Sequence, residues 1–176
     1  YAGGLRAGDV DTMTFTGSGT KHWSLPFDTI LTARGSFAVV DSHGGDDNLP
    51  IFERQFLGGA RDLRGFQFRD IGPRDATGPN ATQEVLGGAT SVFGSLEFTF
   101  PVIGQVRGAV FYDAGFVNSD SWDFNTGRLA SDVGIGVRLN LPGIGPLAVD
   151  FAVPVETPDD QADDGSQIQF YMDYQF

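Results

Sequence analysis

Strict alternation of apolar and polar residues is the feature that most limits what this chain can fold into. Residues 133–141 carry an apolar side chain at every odd position and Gly, Arg or Asn at every even position. Residues 147–155 and 168–176 repeat the alternation. Because successive side chains of a strand point to opposite faces, each run predicts a β-strand with one apolar and one more polar face.

Weaker runs predict further strands at 12–23, 30–40, 51–57, 89–100 and 106–117. The sequence thus predicts about eight strands. Pro154 indicates that the strand at 147–155 is weakly paired at its end. No segment has a convincing helical period. The fold class is therefore predicted to be all-β and antiparallel, with the strands forming a barrel or part of one.

Composition excludes several kinds of function. The formal net charge of −12 argues against a nucleic-acid partner, and the absence of cysteine excludes disulfides, thiolate metal sites and cysteine nucleophiles. His22 and His43 are isolated, and the aspartates at 159–164 lack the spacing of a helix-loop-helix calcium site. We expect no catalytic residues, no metal and no cofactor. The chain is not predicted to be an enzyme.

Alternation alone fits both a soluble barrel, with the apolar face inside, and a membrane barrel, with that face outside. Short turns at 101–105 and 142–146 alternate with long connections at 58–88, 118–128 and 156–166, as in outer-membrane barrels. The connection at 41–49 does not fit this rule. The polar face carries five charged residues that a soluble barrel would bury at high cost: Glu97, Arg107, Asp113, Arg138 and Asp150. These features favour a transmembrane barrel.

The long connection at 58–88 contains an Arg-Gly-Phe motif, Arg64, Gly65 and Phe66. The planar guanidinium of arginine can donate to two acceptors at once, and glycine permits a sharp bend of the backbone. Strand phase puts Glu97 and Asp113 on the inward face. Two interpretations remain open from the residues alone: Arg64 folds inward and pins the loop to these two acids, or Arg64 is a solvated loop cation and the acids line a wet pore.

The chain resembles the C-terminal half of the barrel in the BamA-type outer-membrane assembly superfamily, also called the bacterial surface antigen domain. Single motifs are weak, but their ordered recurrence over nearly the whole chain is specific. In chain order they are Pro50-Ile51-Phe52-Glu53, Phe56-Leu57-Gly58-Gly59, Leu63-Arg64-Gly65-Phe66, Gly87-Gly88, the Glu97 strand ending in Pro101, Phe111-x-Asp113-x-Gly115, Gly134-x-Gly136-x-Arg138 and Pro142-Gly143-Ile144-Gly145-Pro146-Leu147, before a final aromatic.

The resemblance implies that residues 1–176 are the last eight strands of a sixteen-stranded barrel, and that Arg64 pairs with Glu97 and Asp113 inside it. Periplasmic repeats precede such barrels. Because the chain begins without methionine or a targeting segment, we expect Tyr1 to be a cut start. In this family the last strand carries a C-terminal recognition signal and forms one side of a weak seam. The residues that match the signal are Phe170, Met172, Tyr174 and Phe176.

The function implied by the resemblance is that of an assembly factor, or insertase, in the outer membrane of a Gram-negative-type bacterium. Such a factor helps β-barrel proteins to fold and insert through the seam. The implied partners are outer-membrane lipids and unfolded barrel substrates, with accessory lipoproteins and periplasmic chaperones. Two alternatives remain: a secretion or translocation pore of the same superfamily, and a small structural outer-membrane barrel.

Overall fold

The strands of the described residues form one antiparallel sheet. The computed structural model describes residues 12–42, 49–75, 84–141, 145–159 and 165–172. Seven strands pair in sequence order, each with the next. They are β1 (Thr12–Leu25), β2 (Thr29–Ser42), β3 (Thr90–Ile103), β4 (Val106–Asn118), β5 (Ala130–Leu141), β6 (Gly145–Glu156) and β7 (Gln167–Met172). The predicted all-β antiparallel fold is confirmed.

Helical structure in the described ranges is limited to one 3-10 turn at Thr126–Arg128. None of the helical structure described is long and apolar enough to span a membrane.

The predicted strand at 51–57 is wrong. Ile51 and Phe52 lie in a turn closed by a hydrogen bond from the Glu53 amide to the Pro50 carbonyl. Gln55 and Leu57 form only isolated bridges, to Gly88 and Ile71. The physical reason is that β2 and β3 pair directly with each other, so the segment has no neighbouring sheet edge to join.

This correction makes the connections regular. A single long loop at 43–89 replaces the two connections predicted at 41–49 and 58–88. Short connections at 26–28, 104–105 and 142–144 now alternate strictly with long ones at 43–89, 119–129 and 157–166. One end of the sheet therefore carries only short turns and the other only long connections, as in outer-membrane barrels.

The two faces of the sheet are inverted relative to a soluble protein. Ile135 is 61% exposed on the outer face, where Val133 and Phe151 are also exposed. On the inner face, Asp113 and Asp150 are 0% exposed. Large apolar areas that meet the surroundings, combined with buried charges, are the pattern of a barrel wall in lipid.

The described sheet is an arc with two edges. β1 and β7 stand at its ends, and no pairing joins them within the described part of the chain. β6 continues through Pro154, which pairs with Asp132 beside a register shift at Ser131 and Asp132. The irregularity that proline introduces is thus a bulge within the β5–β6 pair rather than the end of the strand.

The long loop turns back onto the inner face of this arc. Its tip, which we define as residues 57–71, is closed at its base by two hydrogen bonds between the main chains of Leu57 and Ile71, at 3.0 and 2.9 Å. Apolar side chains of the tip pack against the inner wall in an apolar cluster: Leu57, Leu63, Phe66, Ile71, Phe93, Val117 and Ala130. The wall and the tip therefore share one core.

Candidate functional site

The site is built around Arg64, at the end of the loop tip. Backbone turns place it there: the Gly59 and Phe66 amides both donate to the Leu63 carbonyl, at 3.1 Å. Gly58 has φ 110° and Gly59 has φ 108°, a left-handed region that side chains disfavour. The glycine pair thus allows the chain to reverse before the arginine.

The Arg64 guanidinium reaches three carboxylates on three different strands. Its Nε and Nη2 donate to the two oxygens of Asp113, at 2.7 and 2.9 Å. Its Nη1 donates to Glu97 Oε2 at 2.6 Å and to Asp150 Oδ2 at 3.0 Å. Arg64 is 2% exposed. It is therefore a buried, multiply bonded residue and not a solvated loop cation.

A second arginine completes the group. Arg138 on β5 donates to Glu97 Oε2 at 2.7 Å and also binds both oxygens of Asp150. The ionic cluster, as we name it, consists of Arg64, Glu97, Asp113, Arg138 and Asp150. Each carboxylate accepts several charge-assisted hydrogen bonds, which offset the cost of removing these charges from water.

An aromatic ring forms one wall of the arginine's site. The Arg64 Cζ lies 3.3 Å from the centre of the Phe111 ring, whose side chain is buried on the inner face of β4. A guanidinium stacked on an aromatic face is attracted by the electron density of the ring. The contact also fixes the plane of the guanidinium, so that its donors point at the carboxylates.

Gly65 is required by close approach. A Cβ atom added there would collide with the side chain of Asp132 and lie 3.2 Å from the Pro154 nitrogen. The next residue, Phe66, is buried in the apolar cluster. Arg64, Gly65 and Phe66 therefore make three different contacts with the wall: charged, close-packed and apolar.

Two side chains of the last strand also contact the site. Gln169 Nε2 donates to the main-chain carbonyls of Arg64 and Phe66, each at 3.3 Å. The Tyr171 hydroxyl donates to Asp150 Oδ2 at 3.1 Å. Phe170 and Met172, by contrast, are exposed on the outer face. Tyr174 and Phe176 lie outside the described residues.

The structure thus brings together the three residues that sequence reasoning grouped, Arg64, Glu97 and Asp113. Sequence reasoning placed Arg138 and Asp150 on the inner face but did not connect them to Arg64, and it assigned no contact to Gln169 or Tyr171. The alternation of inward and outward residues along each strand was the pattern in the sequence that could have indicated these contacts. It gives the face of each residue but not which residues lie opposite one another on neighbouring strands.

The carboxyl group of Asp62, in the loop tip, has a raised pKa. Burial raises the pKa of Asp62 to about 6, while the positive charge of Arg34 acts in the opposite direction and the negative charge of Asp113 adds to the rise.

No group of three or more metal-binding side chains is arranged around a common point in the described ranges. His22 instead lies 2.9 Å from the Thr32 hydroxyl, measured from Nδ1.

An apolar outer face, a charged inner face and a loop docked inside define a barrel protein of the outer membrane. More particularly, the Omp85 superfamily domain matches residues 1–176, and the chain belongs to that superfamily. Its location is accordingly the outer membrane of Gram-negative bacteria.

Two relatives extend the comparison. The chain is 28% identical, over 176 residues, to the outer membrane protein assembly factor BamA of Nitratidesulfovibrio vulgaris, a match over 98% of this chain and 21% of that protein. It superimposes on the crystal structure of Haemophilus ducreyi BamA lacking POTRA domains 1–3 with a TM-score of 0.69 and 25% identity, over 91% of this chain and 35% of that one. The chain therefore spans only a minor part of either relative.

Proposed function

We propose that this chain is the C-terminal part of the barrel of an outer-membrane assembly factor, which helps other β-barrel proteins to fold and insert. The observation that carries the proposal is the 28% identity to an assembly factor, BamA, across 98% of the chain. We propose that the complete barrel has sixteen strands and that residues 1–176 contribute the last part of it. The role is not enzymatic, and no bond of the substrate is made or broken.

The edge of β7 that has no partner among the described residues is the surface on which assembly would take place. A strand edge in lipid is costly because its amides and carbonyls lack partners. An incoming substrate strand that pairs with β7 by β-augmentation satisfies both edges. The assembly factor thereby lowers the barrier to insertion, using only main-chain hydrogen bonds. We propose that Phe170 and Met172, with Tyr174 and Phe176, form the C-terminal signal on this seam strand.

The partners follow from the surfaces. Lipids of the outer membrane would cover the apolar outer face, and unfolded barrel proteins would meet the β7 edge. Accessory outer-membrane lipoproteins and periplasmic chaperones would deliver these substrates. In this scheme the ionic cluster keeps the inner wall rigid while the seam works, because it ties the loop tip to β3, β4 and β6.

The experiment that tests the function uses proteoliposomes that contain the complete protein and an unfolded barrel substrate. We expect Arg64→Ala to slow substrate folding several-fold, as followed by protease resistance of the substrate. Arg61→Ala is the matched control, since Arg61 lies in the same loop but is exposed. Wild-type protein that leaves the spontaneous folding rate unchanged would contradict the proposal. Equal rates for the two variants would remove Arg64 from it.

A secretion pore is the second candidate, and one observation favours it. A cavity of about 280 Å³ lies beside the ionic cluster towards the short-turn end, lined in part by Arg34, Arg107 and Gln105. An arginine-lined cavity beside the docked loop tip suits a translocation path that opens when the tip is released. This candidate predicts ion conductance that rises when Arg64→Ala releases the tip, together with no acceleration of substrate folding. Planar-bilayer recordings alongside the folding assay separate the two functions.

A further inference from the structure

The last strand, β7, is held in the sheet from one side. Its ladder with β6 runs from the pair Ala152 and Gln167 to the pair Leu147 and Met172. No strand pairs with the other edge of β7 in the part of the chain that the structure describes. A short ladder at a sheet edge opens more easily than an interior one, because each residue is bonded to a single neighbour.

Two further attachments of β7 come from its inward side chains, and both lead to the loop tip. The Gln169 amide bridges the carbonyls of Arg64 and Phe66, which flank Gly65. One nitrogen can reach both carbonyls only when the turn at Gly65 is docked in its native shape. Gln169 therefore recognises the docked main chain and not a particular side chain of the loop.

Tyr171 reaches the same loop indirectly. Its hydroxyl donates to Asp150 Oδ2, the oxygen that also accepts from Arg64 Nη1 and Arg138 Nη2. When Arg64 leaves, Asp150 loses one of its donors and the balance of charge at that oxygen changes. The remaining donors, Tyr171 among them, then bind Asp150 more strongly, so this contact holds β7 to β6 whether or not the tip is docked.

We propose that Gln169 is a positioning residue that couples the docked loop tip to the edge strand β7, so that release of the tip loosens β7 from β6 and loosening of β7 releases the tip. The coupling is a property of the fold and stands apart from the proposed function. Its consequence, that the loop controls how readily the seam strand is offered to a substrate, rests on that function.

Thermodynamic linkage makes the coupling testable from both ends. If docking of the tip protects β7 by some factor, then β7 must protect the tip by the same factor. A neutral hydrogen bond in a protein contributes an amount equivalent to roughly a two- to tenfold change in an equilibrium constant. We therefore expect the reciprocal effects of Gln169 to lie within that range.

Hydrogen exchange on the complete protein in lipid nanodiscs provides the measurement. Gln169→Leu should speed exchange of the Leu57 and Ile71 amides, at the base of the tip, by roughly two- to tenfold. Gln167→Leu is the matched control, because Gln167 lies on the same strand and its side chain makes no hydrogen bond to the tip within the described residues. It should leave tip exchange unchanged.

The reverse arm uses Arg64→Ala and reads the amides of β7. We expect their exchange to rise, and we expect the addition of Gln169→Leu to Arg64→Ala to add little further, since a residue that acts through the tip has no effect once the tip has left. A residue that merely stabilises β7 would instead give additive effects. Additivity, or tip exchange in Gln169→Leu equal to that in Gln167→Leu, would overturn the coupling.

The substrate-folding assay separates this inference from the proposed function. Reciprocal exchange effects without any acceleration of substrate folding by wild-type protein would leave the coupling standing and reject the insertase. Acceleration by wild-type protein with unlinked exchange would do the opposite. If both hold, Gln169→Leu should change the folding rate of the substrate while Gln167→Leu does not.

Discussion

The loop tip is docked through two regions that differ in kind. The apolar cluster holds it through Leu63 and Phe66, and burial of such side chains is favourable in many orientations. The ionic cluster holds it through Arg64, whose planar fork meets Asp113 in only one orientation. The difference indicates that the apolar cluster adds attraction that depends little on orientation, while the ionic cluster determines the depth and angle at which the tip comes to rest.

The two regions should also respond differently to damage. A truncated apolar side chain leaves a cavity, and the remaining contacts survive. A truncated arginine leaves carboxylates buried without their donors, which is the costlier defect. Four predictions test this contrast, from the largest expected effect to the smallest.

Loss of Arg64 should have the largest effect. We expect Arg64→Ala to destabilise the docked tip by about 3–5 kcal/mol, because Asp113 keeps its burial and loses both of its bonds from the fork. Arg64→Lys should give an intermediate loss, since it keeps the charge without the fork. Hydrogen exchange of the Ile71 amide measures both. A lysine variant as stable as wild type would show that the geometry of the fork plays no part.

Truncation in the apolar cluster should rank second. We expect Leu63→Ala to cost about 2–4 kcal/mol of docking free energy, since Leu63 is fully buried. The resting position of the tip should nevertheless be kept. Spin labels at the exposed positions Arg61 and Asn140 should give a narrow distance distribution in Leu63→Ala and a broad one in Arg64→Ala. The reverse result would assign positioning to the apolar cluster.

The junction between the two regions provides the third prediction. Gly65→Ala should cost about 1–3 kcal/mol, because the added Cβ collides with Asp132 in a filled space. Gly94→Ala on β3 is the matched control, since a Cβ there meets no atom within 4 Å. Protease sensitivity of the loop should rise in the first variant alone. Unchanged protease sensitivity of the loop in Gly65→Ala would mean that Asp132 moves to accommodate the added Cβ.

The smallest effect should come from pH. The pKa of Asp62 is about 6 in the docked loop and 3.8 in its ordinary state, so the docked loop binds the proton more tightly. Docking is therefore favoured at low pH and weakens as the pH rises from about 4 to above 6. Asp62→Asn should abolish this dependence in exchange measurements between pH 4 and pH 7. A dependence that survives in the variant would point to another group.

Sequence alone could predict much of the fold, and the reason is physical. The alternation at 133–141 and 147–155 is a direct consequence of strand geometry, and so is the assignment of Glu97 and Asp113 to the inner face. The segment 51–57 shows the limit. It has the composition of a strand, but whether a strand forms depends on a free edge to pair with, and β2 and β3 leave none.

The missed contacts have a related cause. Gly136 lies opposite Asp150 across the β5–β6 pair, and that space is filled by the Asp150 carboxylate and by Arg138. Which residues meet in this way depends on the register of each strand pair, including the shift at Ser131 and Asp132. The period-2 pattern is nearly indifferent to a slip of two residues, so it cannot specify these partners.

Burial of the loop tip has a consequence for what can be seen from outside the cell. The long connections of outer-membrane barrels face the exterior. In the longest one here, the Arg-Gly-Phe residues are buried against the inner face of the sheet, where antibodies and phages cannot reach them. The connection at 119–129, by contrast, offers exposed side chains to external recognition, among them Trp122 and Phe124. Immune pressure should therefore diversify that connection while the loop tip stays hidden from it.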